Sequence, residues 1–233
     1  MAKIFYVEDD TNLSFVVKDC LEHAGHEVHH FSKGDEALAA FLKFNYDIGI
    51  LDVMLPKVDG FTMIKTIREK NPHIPIIFVS AKAQLEDKLE GLQLGADDYI
   101  FKPFSVDELL LKIQIFIKRA TTMVSDTVIH QPVVEIGHFV LNPNEMELTH
   151  DKETIKLTGR EIELLLFFIK NKNRIIKRGE ILIALWGKDD YFLGRSLDVF
   201  ISRLRKFLSS DGHIRIENIP RVGFKFVTNT DSE

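Results

Sequence analysis

The sequence predicts an α/β domain, a doubly wound five-stranded parallel sheet, followed by a smaller α+β domain, and three observations predict it. Over residues 1–120 short apolar runs alternate with amphipathic segments, the pattern of βαβ units whose helices cover both faces of a parallel sheet. From Ala120 to Pro132 the stretch ATTMVSDTVIHQP is polar, rich in Thr and Ser, and without periodicity, which is a linker composition. Beyond it, short strand-like pieces come first and then helices with no strands between them. The predicted division is a first domain over 1–120, a linker over 121–132 and a second domain over 133–233. With 233 residues the chain is long enough for two cores of ~100–150 residues each.

In the first domain Lys3–Val7, Val28–His30, Asp47–Leu51, Ile74–Val79 and Asp97–Phe101 read as strands, being apolar and rich in β-branched and aromatic residues. Residues 11–24, 34–44, 59–70, 84–93 and 105–119 read as helices. Gly25, Pro72 and Gly95 fall where such helices should stop, and Ser105 with Glu108 is a capping-box pattern. In the second domain, strands are predicted over 133–136, 138–142, 145–149 and 153–156. Thr158-x-x-Glu161 opens a helix through Ile169, a second helix runs from Lys177 to Trp186 and ends at Gly187, and a third spans 195–208. Arg215–Val227 reads as a terminal hairpin.

Composition excludes several classes. At 45% hydrophobic and 28% charged the chain is not disordered, and no apolar run approaches the ~18–20 residues of a membrane span. The start, MAKIFYVEDD, reaches acidic residues at once, unlike a signal peptide, so a soluble, cytoplasmic protein is expected. One cysteine, Cys20, excludes an internal disulfide and Cys-rich metal sites. Net charge is −5, with 14 Lys and Arg against 19 Asp and Glu in residues 1–120 and 16 of each in the remainder. Nucleic-acid binding must therefore rest on a local patch.

In a doubly wound sheet, ligands bind beyond the carboxyl ends of the strands. The predicted strand ends carry Glu8, Asp9 and Asp10, then Asp52, Ser80 and Lys102. Carboxylates gathered at one rim repel one another unless a cation sits among them, and Mg²⁺, a hard ion that prefers oxygen, suits such a place. Asp52, at the tip of the middle strand, could then attack phosphorus, with Ser80 and Lys102 on the phosphoryl oxygens. Each feature alone is an ordinary loop feature. Their joint occurrence, one per strand tip, points to phosphoryl chemistry.

The segments VEDD (7–10), LDVMLPKVDG (51–60), FVSA (78–81) and LGADDYIFKPF (94–104) resemble the receiver domain of two-component response regulators, a flavodoxin-like fold. The resemblance covers essentially all of residues 1–120. It implies that Asp52 is the phosphoacceptor, served by a sensor histidine kinase, and that Glu8, Asp9, Asp52 and the Met54 carbonyl hold Mg²⁺. It implies phosphoryl contacts from Ser80 and Lys102, a cis Lys102–Pro103 bond, and a switch in which Ser80 moves inward and Tyr99 fills the space. Asp10 is then a bystander. Lys88, Asp97, Asp98, Glu108, Lys112 and Arg119 are implied to form a homodimer face on phosphorylation, through Lys88–Glu108, Asp98–Lys112 and Asp97–Arg119 pairs across subunits.

Projected as a helix, residues 195–208 place Leu197, Ile201, Leu204 and Leu208 on one narrow stripe. Arg195, Ser196, Val199, Ser202, Arg203 and Lys206 fall opposite, a surface suited to a major groove. With the preceding helix and the hairpin bearing Arg221 and Lys225, this is the plan of a winged helix-turn-helix. LTGREIELL (157–165), RGEILIALWG (178–187), RSLDVFISRLRKFL (195–208) and RVGFKF (221–226) resemble the OmpR/PhoB-type DNA-binding domain. That resemblance implies that Arg203 and Val199 approach bases and that Arg195, Ser196 and Lys206 meet phosphates of double-stranded DNA at tandem sites. A third reading has the second domain bind protein, chiefly RNA polymerase, through the 188–194 loop. Phe200 stands where the family often has His, and Pro220-Arg221 where it usually has Arg-Gly. Whether Arg221 reaches the minor groove is left open.

An enzyme of the haloacid-dehalogenase phosphatase type, with Asp52 as nucleophile, is the rival reading. Such enzymes place an acid two residues after the nucleophile, and position 54 is Met. His23, His26, His29 and His30 straddle two elements and read as surface histidines. The expected protein is a transcription regulator and not an enzyme.

Overall fold

The computed structural model describes residues 1–81, 85–122, 132–187, 189 and 191–228, without the side chains of residues 85, 86, 88, 118–122, 191–193 and 195. Packing divides the chain into two compact units that part between residues 129 and 130.

In the first unit β1 (Lys3–Val7), β2 (Glu27–Phe31), β3 (Ile48–Asp52), β4 (Ile76–Ser80) and β5 (Asp98–Phe101) form one parallel sheet in the order β2-β1-β3-β4-β5. The connecting helices are α1 (Thr11–His23), α2 (Gly34–Phe41), α3 (Gly60–Lys70), α4 (Leu85–Gln93) and α5 (Val106–Thr122). Every residue of β3 and β4 is buried, as a strand covered on both faces requires. On one face Ile4, Tyr6, Val17, Leu21, Ile50, Val79, Leu109 and Ile113 form a continuous core. On the other, Phe5 meets Phe41 and Tyr46 at ring-centroid distances of 5.2 and 5.0 Å.

Because β2 and β3 flank β1 on opposite sides, the connections diverge there and leave a crevice at the carboxyl ends of β1 and β3. Two local devices fix its rim. The Asp10 carboxylate caps α1, accepting the Asn12 and Leu13 amides at 2.9 and 3.0 Å. Gly60, at the start of α3, lies so close to β3 that a Cβ would stand 2.4 Å from the Asp52 carbonyl oxygen.

The second unit opens with an antiparallel meander, β6 (Val134–Ile136), β7 (Phe139–Asn142), β8 (Glu147–His150) and β9 (Glu153–Lys156). Then come α6 (Gly159–Lys170), β10 (Ile175–Lys177), α7 (Arg178–Trp186), α8 (Tyr191–Phe207), β11 (Ile214–Ile219) and β12 (Gly223–Thr228). The hairpin β11–β12 takes β10 as a third strand, in the order β10-β12-β11. Thr158 and Glu161 form the reciprocal capping box of α6, and Gly187 ends α7 at φ 78°.

Several elements differ from expectation. β10 is too short to show a period, and Gly223 admits it: a Cβ there would meet the Ile176 carbonyl at 2.0 Å. α8 begins at Tyr191 rather than 195, so the 188–194 segment is helical over its second half. α5 runs to Thr122, two residues into the stretch read as linker. Residues 123–131 lie outside the described residues. At Ser105 the hydroxyl accepts the Asp107 amide at 3.2 Å, so the cap forms one residue earlier than a capping box places it.

Two buried acids tie the second unit together. Asp211, 3% exposed, accepts the His138 amide at 2.9 Å and the His213 amide at 2.8 Å, joining the β6–β7 turn to the turn before β11. Burial works to raise its pKa, but those two amide bonds and the nearby histidines outweigh it and hold the carboxyl below its ordinary value. Its stabilisation is therefore present at neutral pH and is lost as pH falls through the depressed value. Glu161, fully buried on α6, meets the Arg203 guanidinium of α8 at 2.8 Å and accepts the Thr158 amide at 2.8 Å.

Asp211→Ala leaves two backbone donors unpaired, and urea unfolding followed by Trp186 fluorescence should show a loss of ~1–3 kcal/mol. An unchanged midpoint contradicts the clasp. Arg203→Ala strands the Glu161 carboxylate and should lower stability by a similar ~1–3 kcal/mol in the same assay, while Lys206→Ala, on the exposed side, should stay within about 0.5 kcal/mol of wild type.

Candidate functional site

The crevice gathers the residues that end β1, β3, β4 and β5. Ligand oxygens of Glu8, Asp9 and Asp52 all lie within 4.8 Å of one another, the one such group among the described residues. Glu8 and Asp52 are 1% and 3% exposed, whereas Asp9 is open to solvent. Lys102, which follows β5, reaches across and donates to Glu8 Oε1 at 2.7 Å and to Asp52 Oδ2 at 2.5 Å. The Met54 amide donates to Asp52 Oδ1 at 2.7 Å, and the Asp10 amide to Glu8 Oε1 at 3.2 Å. The Lys102–Pro103 bond is cis. An open groove lined by Asp9, Met54, Pro56 and Asp59 adjoins the acids.

Burial pushes the Glu8 carboxyl up, with the Asp52 charge adding to it, against the opposing pull of Lys102. Burial works to lower Lys102, but its hydrogen bonds to Asp52 and Glu8 outweigh that and raise it, so the ammonium stays charged. Glu8 Oε2 is buried with no hydrogen-bond partner among the described residues. Two buried carboxylates, a third at the surface, one ammonium and an unpartnered carboxylate oxygen form a donor set that fits a small, hard divalent cation. Asp10 is turned to capping α1, as a bystander would be.

Ser80 is fully buried, and Tyr99 is 4% exposed with its hydroxyl hydrogen-bonded to Ser80. Burial pushes the Tyr99 phenol up to about 12, partly offset by that bond, so it remains a protonated donor. Tyr99 is thus already inward.

The expected dimer face is corrected in part. Asp97 is 3% exposed and its Oδ2 accepts Arg68 Nη2 at 3.0 Å and the Ile76 amide at 2.9 Å. It closes the α3–β4 loop within its own chain and is not presented for a pair with Arg119. Asp98 is also buried and takes Lys112 at 2.5 Å within the chain, so Asp98–Lys112 is an internal pair. Glu108 is exposed. The side chains of Lys88 and Arg119 lie outside the described residues.

The DNA-contact expectation is likewise corrected. Ser196 and Val199 are 2% and 7% exposed, and Arg203 is held by Glu161. These three face the protein because α8 is packed by α6 and α7 as well as by β11. Among the described side chains the open side of α8 consists of Asp198, Ser202, Arg205 and Lys206, with Arg205 also donating to the Ile216 carbonyl at 2.9 Å. Asp198 pairs with Arg178 of α7 at 2.6 Å. Arg221 is exposed in the β11–β12 turn at φ 63°. The side chain of Arg195 lies outside the described residues. The histidines have plain roles: His29 bonds Tyr46 and Glu27, His30 bonds the Glu8 carbonyl, and His23 bonds the Asp19 carbonyl.

Residues 4–114 match the response regulator receiver domain, and residues 151–226 match the family described as transcriptional regulatory protein, C terminal. The chain is 39% identical over 226 residues to the transcriptional regulatory protein RprY of Bacteroides fragilis, covering 97% of this chain and 94% of that one. It is 36% identical to the transcriptional regulatory protein DltR of Streptococcus agalactiae, covering 96% and 97%. It is similar to the solved response regulator DrrB of Thermotoga maritima, an OmpR/PhoB homolog, at 28% identity and TM-score 0.50 over 97% of this chain and 99% of that one. A solved RitR mutant, 22% identical, shares the fold at TM-score 0.76 over 98% and 100%. These names are those of regulators of transcription and not of catalytic enzymes. Among the described residues no helix is long and apolar enough to cross a membrane. A receiver and a regulatory C-terminal domain in one chain, matched along nearly its whole length by transcriptional regulators, place it by descent: the chain belongs to the OmpR/PhoB-type response regulators, the DNA-binding transcriptional regulators of two-component systems.

Proposed function

We propose that Asp52 accepts a phosphoryl group from a phosphohistidine of a sensor kinase in the cytoplasm, and that the phosphorylated receiver dimerises and promotes binding of the second domain to tandem sites on duplex DNA. The observation that carries this reading is the Lys102 ammonium shared by the buried Glu8 and Asp52 beside exposed Asp9. An Asp52 carboxylate oxygen attacks phosphorus as the bond to the donor nitrogen breaks, and the imidazole keeps the electron pair and gains a proton. The Met54 amide orients the nucleophile through Oδ1. Lys102 follows the charge toward the phosphoryl oxygens, and Ser80, already bonded to Tyr99, offers a hydroxyl from β4.

Glu8, Asp9, Asp52 and the Met54 carbonyl would hold Mg²⁺, which when bound offsets negative charge among the acids and on the transferring group. Among the described side chains of the expected dimer face, Glu108 is exposed on α5 and open to a partner subunit. On the DNA side Lys206, with Arg221 on the wing, supplies phosphate contacts.

Wild type and Asp52→Asn treated with a small phosphodonor and Mg²⁺ should differ in three readouts together. Wild type takes up label, sediments as a dimer and retains cognate DNA more strongly, and the variant does none of these. Equal labelling of Asp52→Asn overturns the assignment. Lys206→Ala should weaken binding to cognate and random DNA alike and reduce the slope of log affinity against log salt by about 1. An unchanged slope removes Lys206 from the phosphate contacts.

A further inference from the structure

Three of the nine histidines stand together in the second unit, from places far apart in the sequence. His138 lies in the β6–β7 turn, His150 ends β8, and His213 precedes β11. The His138 ring centroid is 5.8 Å from that of His213 and 6.3 Å from that of His150, both pairs edge-on. What gathers them is Asp211. Its Oδ2 accepts the His138 amide and its Oδ1 the His213 amide, so the two histidine backbones straddle one buried carboxylate. Gly137, at φ 57°, makes room for it: a Cβ there would stand 2.4 Å from Asp211 Oδ2. His150 is placed by the sheet, paired in register with Phe139 and with its ring centroid 4.6 Å from that of Phe139.

The Asp211 clasp uses backbone amides, which any side chain at 138 and 213 would leave in place. Both positions nevertheless carry imidazole, and a third imidazole stands beside the first. Asp211 also acts on the His138 ring, its Oδ2 lying 3.3 Å from Nδ1. A carboxylate at Nδ1 favours the tautomer protonated there and leaves Nε2 as a lone-pair donor, the arrangement that orients histidines in metal centres. His138 and His213 are exposed and His150 is half-buried, so all three are open to an ion from solvent.

We propose that His138, His150 and His213 form a site for a divalent transition-metal ion of the kind imidazole suits, Zn²⁺ foremost, closing the β6–β9 meander onto the turn before β11. Such ions take nitrogen ligands, whereas Mg²⁺ prefers oxygen, so the site differs in kind from the acidic crevice of the receiver. The ligand nitrogens do not all lie within 4.8 Å of one another, and an ion must draw the rings inward. Two imidazoles on one tetrahedral Zn²⁺ have ring centroids about 5 Å apart, so the rings need close by only about 1 Å. Side-chain torsions of two exposed histidines supply that movement, and the clasp of Asp211 on the two amides is left as it is.

The test titrates the full chain calorimetrically with ZnCl₂ in excess MgCl₂, for wild type, His138→Ala, His213→Ala and His150→Gln, with thermal unfolding followed in chelator and in Zn²⁺. His138→Ala and His213→Ala keep the amides that Asp211 accepts, so in chelator they should melt near wild type. Wild type should bind Zn²⁺ and melt higher in it, because an ion held by the folded chain stabilises that state. Each variant should lose Zn²⁺ affinity by at least ~10-fold, since loss of even an outer partner of a ligand costs that much, and should lose the thermal gain. His23→Ala, on α1 of the first unit, should match wild type. Equal Zn²⁺ affinity in wild type and the three variants overturns the site and assigns any bound zinc elsewhere. Failure of wild type to bind Zn²⁺ overturns it as well.

Discussion

The Lys102 ammonium, set between two carboxylates that are almost wholly buried, is the contact on which the receiver site depends. Taking one carboxylate out of water costs several kcal/mol even after relaxation. Glu8 and Asp52 can therefore both stay in the crevice only because a cation reaches each of them. Lys102 does so from a third strand, which makes the site a property of the sheet order: β5 lies three places from β1, with β3 and β4 between, and the lysine spans the rim. One ammonium against three carboxylates still leaves the pocket negative, and burial keeps the Glu8 carboxyl raised despite Lys102. The same arrangement that makes the pocket tolerable leaves it short of positive charge.

That shortage was largely legible in the sequence, because residues following buried strands must sit at the carboxyl rim once the sheet is parallel. Five apolar runs fixed five strands, and the acids, Ser80 and Lys102 came with them. What periodicity cannot show is partnership. Nothing along the chain announces that Arg68 reaches 2.7 Å from the Gly95 carbonyl and pairs with Asp97, so Asp97 and Asp98 read as surface charge when both are buried. Short elements were illegible for a different reason. β10 has three residues, fewer than a period-2 pattern needs, and it exists because Gly223 lets β12 come close.

The third helix of the second unit shows how a helical projection misleads. Splitting 195–208 into an apolar stripe and an opposite face assumes contact on one side. α8 is packed by α6, α7 and β11, so burial extends round to Ser196, Val199 and Phe200. Once more than half of a helix surface is covered, an arginine at the margin is drawn to whatever buried acid lies below it. Here that acid is Glu161, whose position is set by its own capping box. The same residue types thus serve the fold first, and among the described side chains of α8 the exposed ones are Asp198, Ser202, Arg205 and Lys206.

On the proposed chemistry, a phosphoryl group on Asp52 adds up to about two negative charges where Lys102 already serves two acids. Lys102 cannot satisfy a phosphoryl oxygen and Glu8 at their present separations at once, so Glu8 must lean on other donors or on a bound cation. Phosphorylation and cation binding are then coupled through a single side chain, and coupling of that kind is reciprocal: whatever holds Glu8 in place for the cation also lowers the cost of releasing Lys102 to the phosphoryl group. A Tyr99–Ser80 hydrogen bond that is already made reduces the rearrangement left to be done. On that reading the added charge draws the Lys102 ammonium away from Glu8 and toward the phosphoryl group.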